Sequence, residues 1–404
     1  MILILVSCSK QKKSIPELGI SLKDDVTFLA SDELEGREIG TEGEKKAAAY
    51  IVNRFKAIGL TPAGTDNYLQ KFEVTPAQNP HEQAKIGAGR DSLSIIGTNV
   101  IGMIDNPGDE IIIIGAHYDH LGYGGVNSLY RGDSLVHNGA DDNASGVAVM
   151  IQLAELLKDE KLQKDILFMA FSGEEEGLWG SNYFNKNPTI DLSKVIAMIN
   201  VDMVGRLDEK KALAIHGTGT SPSWDAMVNK ANLDSIPLLL RPSGVGPSDH
   251  TSFYLQDIPV LHFFTGQHED YHRPSDDSEK LNYEGMAKIA LMIDRIVDEL
   301  NTADKLTFTK TKDESSDTPR FTVTLGVVPD YLYGGKGMRI DGITDDKPAS
   351  VAGLQKGDIV VQLGDFTVDG MNEYMEALSK FKKGAETTVI VKRGDKELTF
   401  PIKF

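Results

Sequence analysis

The sequence predicts an α/β domain with a largely parallel central sheet, followed by a small separate domain. Three observations carry this expectation. Several short apolar runs are continuous rather than alternating, helical patterns stand between them, and the composition changes at residue 303, with a new pattern from about 320.

The runs are "EIIIIGAH" (110–117), "DILFMAF" (165–171), "VIAMINVD" (195–202) and, more weakly, "PVLHFF" (259–264). Continuous apolar runs suit strands covered on both faces. Before them, "TEGEKKAAAYIVNRFKAIG" reads as a helix. Thr41 and Glu44 make a capping-box pattern, Ile51, Phe55 and Ile58 repeat on one face, and Gly59 stops it. "SGVAVMIQLAELLKD" (145–159) is a second helical pattern. "YEGMAKIALMIDRIVDEL" (283–300) is a long amphipathic third, with Met286, Ile289, Ile293, Ile296 and Val297 on its apolar face. Residues 9–20 read as a tether and the stretch from Gly59 to about 93 as loop-rich. "ADKLTFTKTKDESSDTP" (303–319) reads as a linker.

Composition narrows the function. The chain has 404 residues, 40% hydrophobic and 25% charged, which is ordinary for a soluble globular protein. Its net charge of −18 (60 acidic residues against 42 basic) argues against a nucleic-acid or anionic-membrane binder. The single cysteine, Cys8, rules out an intramolecular disulfide framework. It stands in "MILILVSCSKQKK", which resembles a bacterial lipoprotein signal. That resemblance implies export to the cell envelope and a lipid anchor on Cys8. The run is shorter than an ordinary signal and lacks a basic start, so an apolar tail is the other reading.

The chemistry gathers where the apolar runs end. "IIIIGA" is followed by His117-Tyr118-Asp119, "LFMAFSG" by Glu174-Glu175, and "AMINV" by Asp202. Two loops add to these, "NGADDNASG" (138–146) and "HEDYHRPSDD" (268–277). In open α/β sheets, sites form at the carboxyl ends of strands. Each fragment alone has a plain reading as a hydrogen-bonded pair, a helix cap or a solvated loop. Together, two imidazoles and several carboxylates at one end of one sheet need a cation. Mixed His and Asp/Glu without cysteine suits zinc, with cobalt or manganese as substitutes. Five candidate ligands exceed what one open tetrahedral ion takes, which points to two ions and one bridging carboxylate.

"AHYDH", "GADDNASG", "FSGEEEGLWGS", "NVDMVG", "PSDHTSF" and "DYHRPSDD", in this order, resemble the blocks of the co-catalytic di-zinc aminopeptidases, metallopeptidase family twenty-eight. The likeness spans roughly residues 20–302 and implies a mixed, mainly parallel sheet sandwiched by helices. By position it implies two zinc ions held by His117, Asp142, Glu175, Asp202 and His272, with Asp142 bridging and a cis peptide after it. It makes Asp119 the carboxylate that orients His117, Glu174 the general base and Tyr271 the oxyanion tyrosine. Asp141 becomes a neighbour, Glu176 turns to solvent, and Asp249 and His250 support the pocket by packing. The implied reaction is release of the N-terminal residue from peptides with a free N-terminus, through a water shared by the ions. Relatives in the same superfamily leave glutaminyl cyclisation or binding without catalysis open. A carboxypeptidase or dipeptidase would need a cation for the substrate carboxylate, for which Arg131, Arg206 and Arg241 are available. The insert "LGYGGVNSLYRGDSLVHNG" (121–139) is expected to cover the site. His120 and His137 near it are expected to have structural or surface roles.

Residues 320–404 resemble a bacterial-type PDZ domain, on "KPASVAGLQKGDIVVQLGD", a helix over 371–381, a terminal strand pair, and Gly337-Met338-Arg339-Ile340 as the loop-to-strand entry. The resemblance implies binding of peptide C-termini by strand addition, or a domain that only packs on the first.

Overall fold

The structure, a computed structural model, describes residues 14–76, 84–87, 94–125, 127–208, 211–311, 323–330, 333, 335–344 and 346–404. Cys8 and the signal-like segment lie outside the described residues.

Two helices, α1 (Ile15–Leu29) and α2 (Glu42–Ile58), precede a ten-stranded sheet. Its strands are β1 (Thr61–Pro62), β2 (Leu69–Thr75), β3 (Lys85–Ile86), β4 (Ile95–Ile104), β5 (Ile111–His117), β6 (Asp165–Phe171), β7 (Val195–Val201), β8 (Leu213–His216), β9 (Leu238–Arg241) and β10 (Val260–Phe264). Between and after them come α3 (Gly146–Leu157), α4 (Trp179–Lys186), α5 (Trp224–Ala231), α6 (His250–Tyr254) and α7 (Tyr283–Thr302). The order is β3-β2-β4-β6-β5-β7-β10-β8-β9, with β1 beside β4. The four central strands, β6, β5, β7 and β10, run parallel. The flanks add antiparallel pairs, β4 on β6 and β8 on β10.

The continuous apolar runs follow from burial on both faces. On β5, Ile112 and Ile114 join one core with residues of α1, α2, α3, α5 and α7, while Ile111 and Ile113 join a second core with Phe184 and Phe253. β6 divides the same way, Ile166, Phe168 and Ala170 against Leu167, Met169 and Phe171. A strand's side chains alternate faces, so only an all-apolar strand can sit between two helical layers. All five apolar-face residues expected on α7 are fully buried. Burying each such side chain is worth roughly 1.5–3 kcal/mol.

Two boundaries differ from expectation. Residues 15–20 open α1 rather than a tether, and Leu18 is fully buried. The start of the expected linker also packs on the first domain: Leu306 is buried, and the Thr309 N–H donates to the Thr220 carbonyl at 2.8 Å. The stretch expected as loop-rich contains β2, which pairs with β4 over six residues.

The C-terminal unit holds β11 (Val327–Pro329), β12 (Met338–Ile343), α8 (Pro348–Ala352), β13 (Ile359–Leu363), β14 (Phe366–Thr367), α9 (Met371–Ser379), β15 (Glu386–Arg393) and β16 (Lys396–Lys403). They form a separate small sheet, ordered β11-β12-β13-β15-β16 with β14 beside β13, around its own apolar core. Gly337-Met338-Arg339-Ile340 is a loop-to-strand entry, as expected. It opens β12, which lies inside the sheet between β11 and β13, and Met338 and Ile340 are core residues.

Candidate active site

The carboxyl ends of β5, β6 and β7 lie side by side, because the three strands pair in parallel register: His117 stands opposite Phe171, and Gly115 opposite Asn200. The residues that follow each strand are therefore delivered to one place. The start of α3 is brought against the end of β7 by Gly146. A Cβ there would stand 2.3 Å from the Val201 carbonyl oxygen, so no larger residue allows the approach. The Asn143 side chain fastens the same junction, donating to the Val201 carbonyl at 3.0 Å and accepting from Met203 N–H at 3.1 Å. The peptide bond between Asp142 and Asn143 is cis, as the resemblance implies.

Asp142 stands at the centre. One of its oxygens, Oδ1, is 3.4 Å from His117 Nε2, and the other, Oδ2, is 3.3 Å from His272 Nε2. His117 Nε2 is also 3.3 Å from Asp202 Oδ1, and His272 Nε2 is 3.1 Å from Glu175 Oε2. The five residues expected as ligands thus form two sets that share one carboxylate. Glu174 lies beside the first set: its carboxylate, His117 and Asp202 offer ligand atoms within 4.8 Å of one another. Asp141 is a neighbour, accepting from Gly205 N–H at 2.6 Å and paired with His268 at 3.1 Å. Glu176 is exposed.

The charges of the two sets depend strongly on one another. Burial opposes charge on both histidines, yet Asp202 and Glu174 drive His117 well above the ordinary imidazole range, and Glu175 and Asp142 do the same to His272. Burial pushes Glu175 up, but the His272 charge and imidazole hydrogen bonds hold it near 2. Burial, with Asp202 and other carboxylates nearby, holds Glu174 well above the ordinary carboxylate range, against the pull of His117. His272 Nε2 is buried and makes no well-directed hydrogen bond despite the two carboxylate oxygens near it. Imidazole nitrogens facing several carboxylates fit a divalent ion of the zinc kind.

The supporting residues fall into two groups. Asp119 is 3.8 Å from His117 Nδ1, but its oxygens also accept from the backbone N–H groups of Glu174 and Glu175 at 3.1 and 3.4 Å. It therefore sets the glutamate turn as well as facing the imidazole. Ser248 donates to Asp202 at 2.8 Å. The insert grips the other side: the Asn127 carbonyl is 2.9 Å from His272 Nδ1, and the Asn127 amide donates to the Glu175 carbonyl at 3.0 Å. His137 is structural within this insert, with Nε2 at 2.7 Å from the Ser128 hydroxyl. Tyr271 stacks on His272 with ring centres 3.8 Å apart. His250 is fully buried and stacks on His262 at 4.5 Å, and Asp249 is buried and pushed up to about 7 by that burial. Of the three arginines considered for a substrate carboxylate, Arg206 is engaged by Asp270 and Asp276 at 3.0 and 3.3 Å.

Two residues exceed what sequence reasoning assigned. His120 is buried in the site rather than remote from it: Nδ1 is 2.7 Å from Glu175 Oε1, and His120, Asp142 and Glu175 offer ligand atoms within 4.8 Å of one another. The doubled histidine of "HYDH" was its signal. Arg37 lies beneath the carboxylates, almost fully buried, donating to the carbonyls of Tyr118, Asn138 and Gly139 at 2.7–2.9 Å. Burial lowers it to about 10 while Asp142 and Asp119 pull the other way. Its only signal was the glycine before it: a Cβ on Gly36 would stand 2.4 Å from the Gly122 carbonyl oxygen, a close approach that ties this loop to the insert.

A cavity of about 190 Å³ opens onto these groups, walled by His117, Asp142, Glu174, Asp202, Phe264 and Tyr271 among others. Residues 99–297 match peptidase family M28, and residues 307–404 match the PDZ domain. Aminopeptidase YwaD of Bacillus subtilis is 29% identical over 288 residues, 65% of this chain and 59% of YwaD. The chain thus spans less than two thirds of that relative's length. In structure, a zinc aminopeptidase from Bacillus subtilis superposes with a TM-score of 0.56 at 18% identity, covering 74% of this chain and all of that one. Glutaminyl cyclase from Porphyromonas gingivalis superposes equally well, at a TM-score of 0.56 and 18% identity over 70% of this chain and 98% of its own. These likenesses show the fold. The chain joins a peptidase family M28 domain to a C-terminal PDZ domain.

Proposed function

We propose that the protein is a zinc-dependent aminopeptidase that removes the N-terminal residue of peptides. The observation that carries this is Asp142, whose two oxygens face two different histidines, each paired with a further carboxylate. That is the donor set of a two-ion centre. His117 and Asp202 would hold one zinc, His272 and Glu175 the other, and Asp142 both. Bound there, zinc supplies the Lewis acidity that activates water and polarises the scissile carbonyl.

The chain's own residues divide the remaining work. Glu174 takes the proton of the attacking water and returns it to the leaving amine. Its burial among carboxylates gives it the raised affinity for a proton that this needs. Asp119 holds it in place through the turn. Tyr271 donates its hydroxyl to the oxyanion that forms. The carboxylates lining the cavity suit a free α-amine, which favours an exopeptidase. The PDZ domain would take a peptide C-terminus at the open edge of β11, where strand addition is available. The signal-like segment at Cys8 supports an exported, lipid-anchored protein, which palmitate labelling and fractionation of cells expressing wild type and Cys8→Ser would test.

The test of the activity is hydrolysis of aminoacyl-anilides, amino-blocked peptides and glutaminyl peptides by protein as isolated, after chelation and after zinc is restored. The expected result is zinc-dependent cleavage of free-amine substrates only. Cyclisation of glutaminyl peptides without hydrolysis would move the protein to the cyclases. Inertness of the fully metallated protein would make it a binding protein.

A further inference from the structure

Tyr271 lines the metal cavity. That residue also lines a second cavity of about 370 Å³, which lies between the two domains. One wall is the loop that carries His272: Glu269, Tyr271 and Arg273. The other belongs to the PDZ domain: Asp341, Ile343 and Lys356. Direct contacts hold the walls in place. Arg273 donates to the Ile343 carbonyl at 2.8 Å. Lys356 stands 3.4 Å from Asp341 and 3.8 Å from Glu269, and Lys211 of the peptidase domain reaches Asp341 at 3.5 Å.

The sizes fix how the two spaces divide a peptide. Ordinary ligand pockets measure roughly 300–1,000 Å³. The metal cavity, at about 190 Å³, is smaller and has room for little beyond the residue being released. The peptide downstream of the cut bond has to leave it, and Tyr271 is a wall of both spaces. We propose that the cleft between the domains is the subsite for this downstream segment, so that the PDZ domain forms one wall of the substrate channel. This rests on the aminopeptidase reading. The ligand is an extended peptide segment. Two acidic and two basic side chains share the cleft, so it selects for the presence of that segment rather than for its charge. This use of the PDZ domain differs from strand addition at β11, because it employs residues at the end of β12 and after α8.

Lys356 lies half exposed at the mouth, so a bulky group there would obstruct the cleft. In a Cys8→Ser background, which leaves no other cysteine, Lys356→Cys is compared before and after reaction with a polyethylene-glycol maleimide. The substrates are an aminoacyl-anilide, which has no downstream residues, and a pentapeptide with the same first residue and an amidated C-terminus, which denies the PDZ domain a carboxylate. The expected result is that the ratio of pentapeptide to anilide kcat/KM falls at least tenfold on modification. An unchanged ratio overturns the proposal. Calorimetric binding of the same pentapeptide to zinc-loaded Glu174→Gln protein reads the cleft independently of turnover. A tenfold loss of affinity on modification upholds it; unchanged affinity, or no measurable binding before modification, overturns it. Failure of the anilide assay alone would count against the aminopeptidase reading and leave the binding result to decide on the cleft.

Discussion

The two sides of Asp142 are built differently. On one side, His117 and Asp202 stand at or just beyond the ends of β5 and β7, whose pairing fixes their separation. On the other side, His272 and Glu175 sit in loops, and His272 has a positive φ of 54°. The sheet positions the first pair. The second pair is positioned by what touches it: Asn127 and Leu129 of the insert, His120 and, one residue beyond His272, the Arg273 contact to the PDZ domain. A site that is half rigid and half propped should respond unequally to substitution, with the loop side sensitive to residues that are not themselves ligands.

The largest effect is expected where the two sides meet. If the proposed two-ion centre is right, Asp142→Ala removes a donor from both ions, so zinc measured by atomic absorption should fall toward none and turnover by at least about 10³-fold. Retention of one full zinc would mean that the carboxylate is not shared. Next is Glu174→Gln, which should keep zinc while lowering kcat by about 10²–10⁴-fold, the range for a lost general base. His120→Ala then separates the sides. It removes the partner of Glu175 Oε1 and should weaken one zinc by about 10–100-fold while leaving the other unchanged. Equal weakening of both in a chelator competition would break the comparison drawn above.

The same division explains what could be read from the sequence. The strand-side residues were legible because each ends or follows a short apolar run, and such runs, set between helical patterns, suit strands buried on both faces. The helices α2, α3 and α7 were legible from their periodicity and caps. The outer part of the sheet was not. β2 has exposed and buried residues in alternation, in "LQKFEVT", and β4, in "IIGTNVIGMI", is broken by Gly97 and Gly102, so neither resembles the central runs. Those glycines are required by packing: a Cβ on Gly97 would stand 2.5 Å from the Phe72 ring, and one on Gly102 2.8 Å from Phe55. The loop-side supports were illegible for another reason. Arg37 and Asn127 reach the site only through tertiary contacts, and no local pattern records such contacts.

Glu44 shows how a locally correct reading missed a longer-range role, and it yields the prediction with the least effect on turnover. The capping box expected at α2 forms only in part. Thr41 accepts from the Glu44 N–H at 3.3 Å, but the Glu44 side chain turns inward. It accepts from the N–H groups of Gly40 and Thr98 at 2.7 and 3.1 Å and from the hydroxyls of Ser172 and Tyr118 at 2.5 and 3.2 Å, behind the ends of β5 and β6. Burial pushes its carboxyl up to about 7, against these hydrogen bonds. A carboxyl that binds its proton more tightly when folded stabilises the fold fully below its unfolded pKa. That stability is lost as pH rises through the folded value. The contribution should therefore decline between about pH 4.5 and 7, by on the order of 1–3 kcal/mol, and stay flat above. Thermal unfolding of the metal-free protein across this range should show a decline shared with the raised carboxyls of Asp249 and Glu174, and Glu44→Gln should make it shallower while leaving kcat near wild type. If the slope in Glu44→Gln equals that of wild type, Glu44 does not contribute to it. If kcat falls with it, the rigid side of the site depends on props as much as the loop side does.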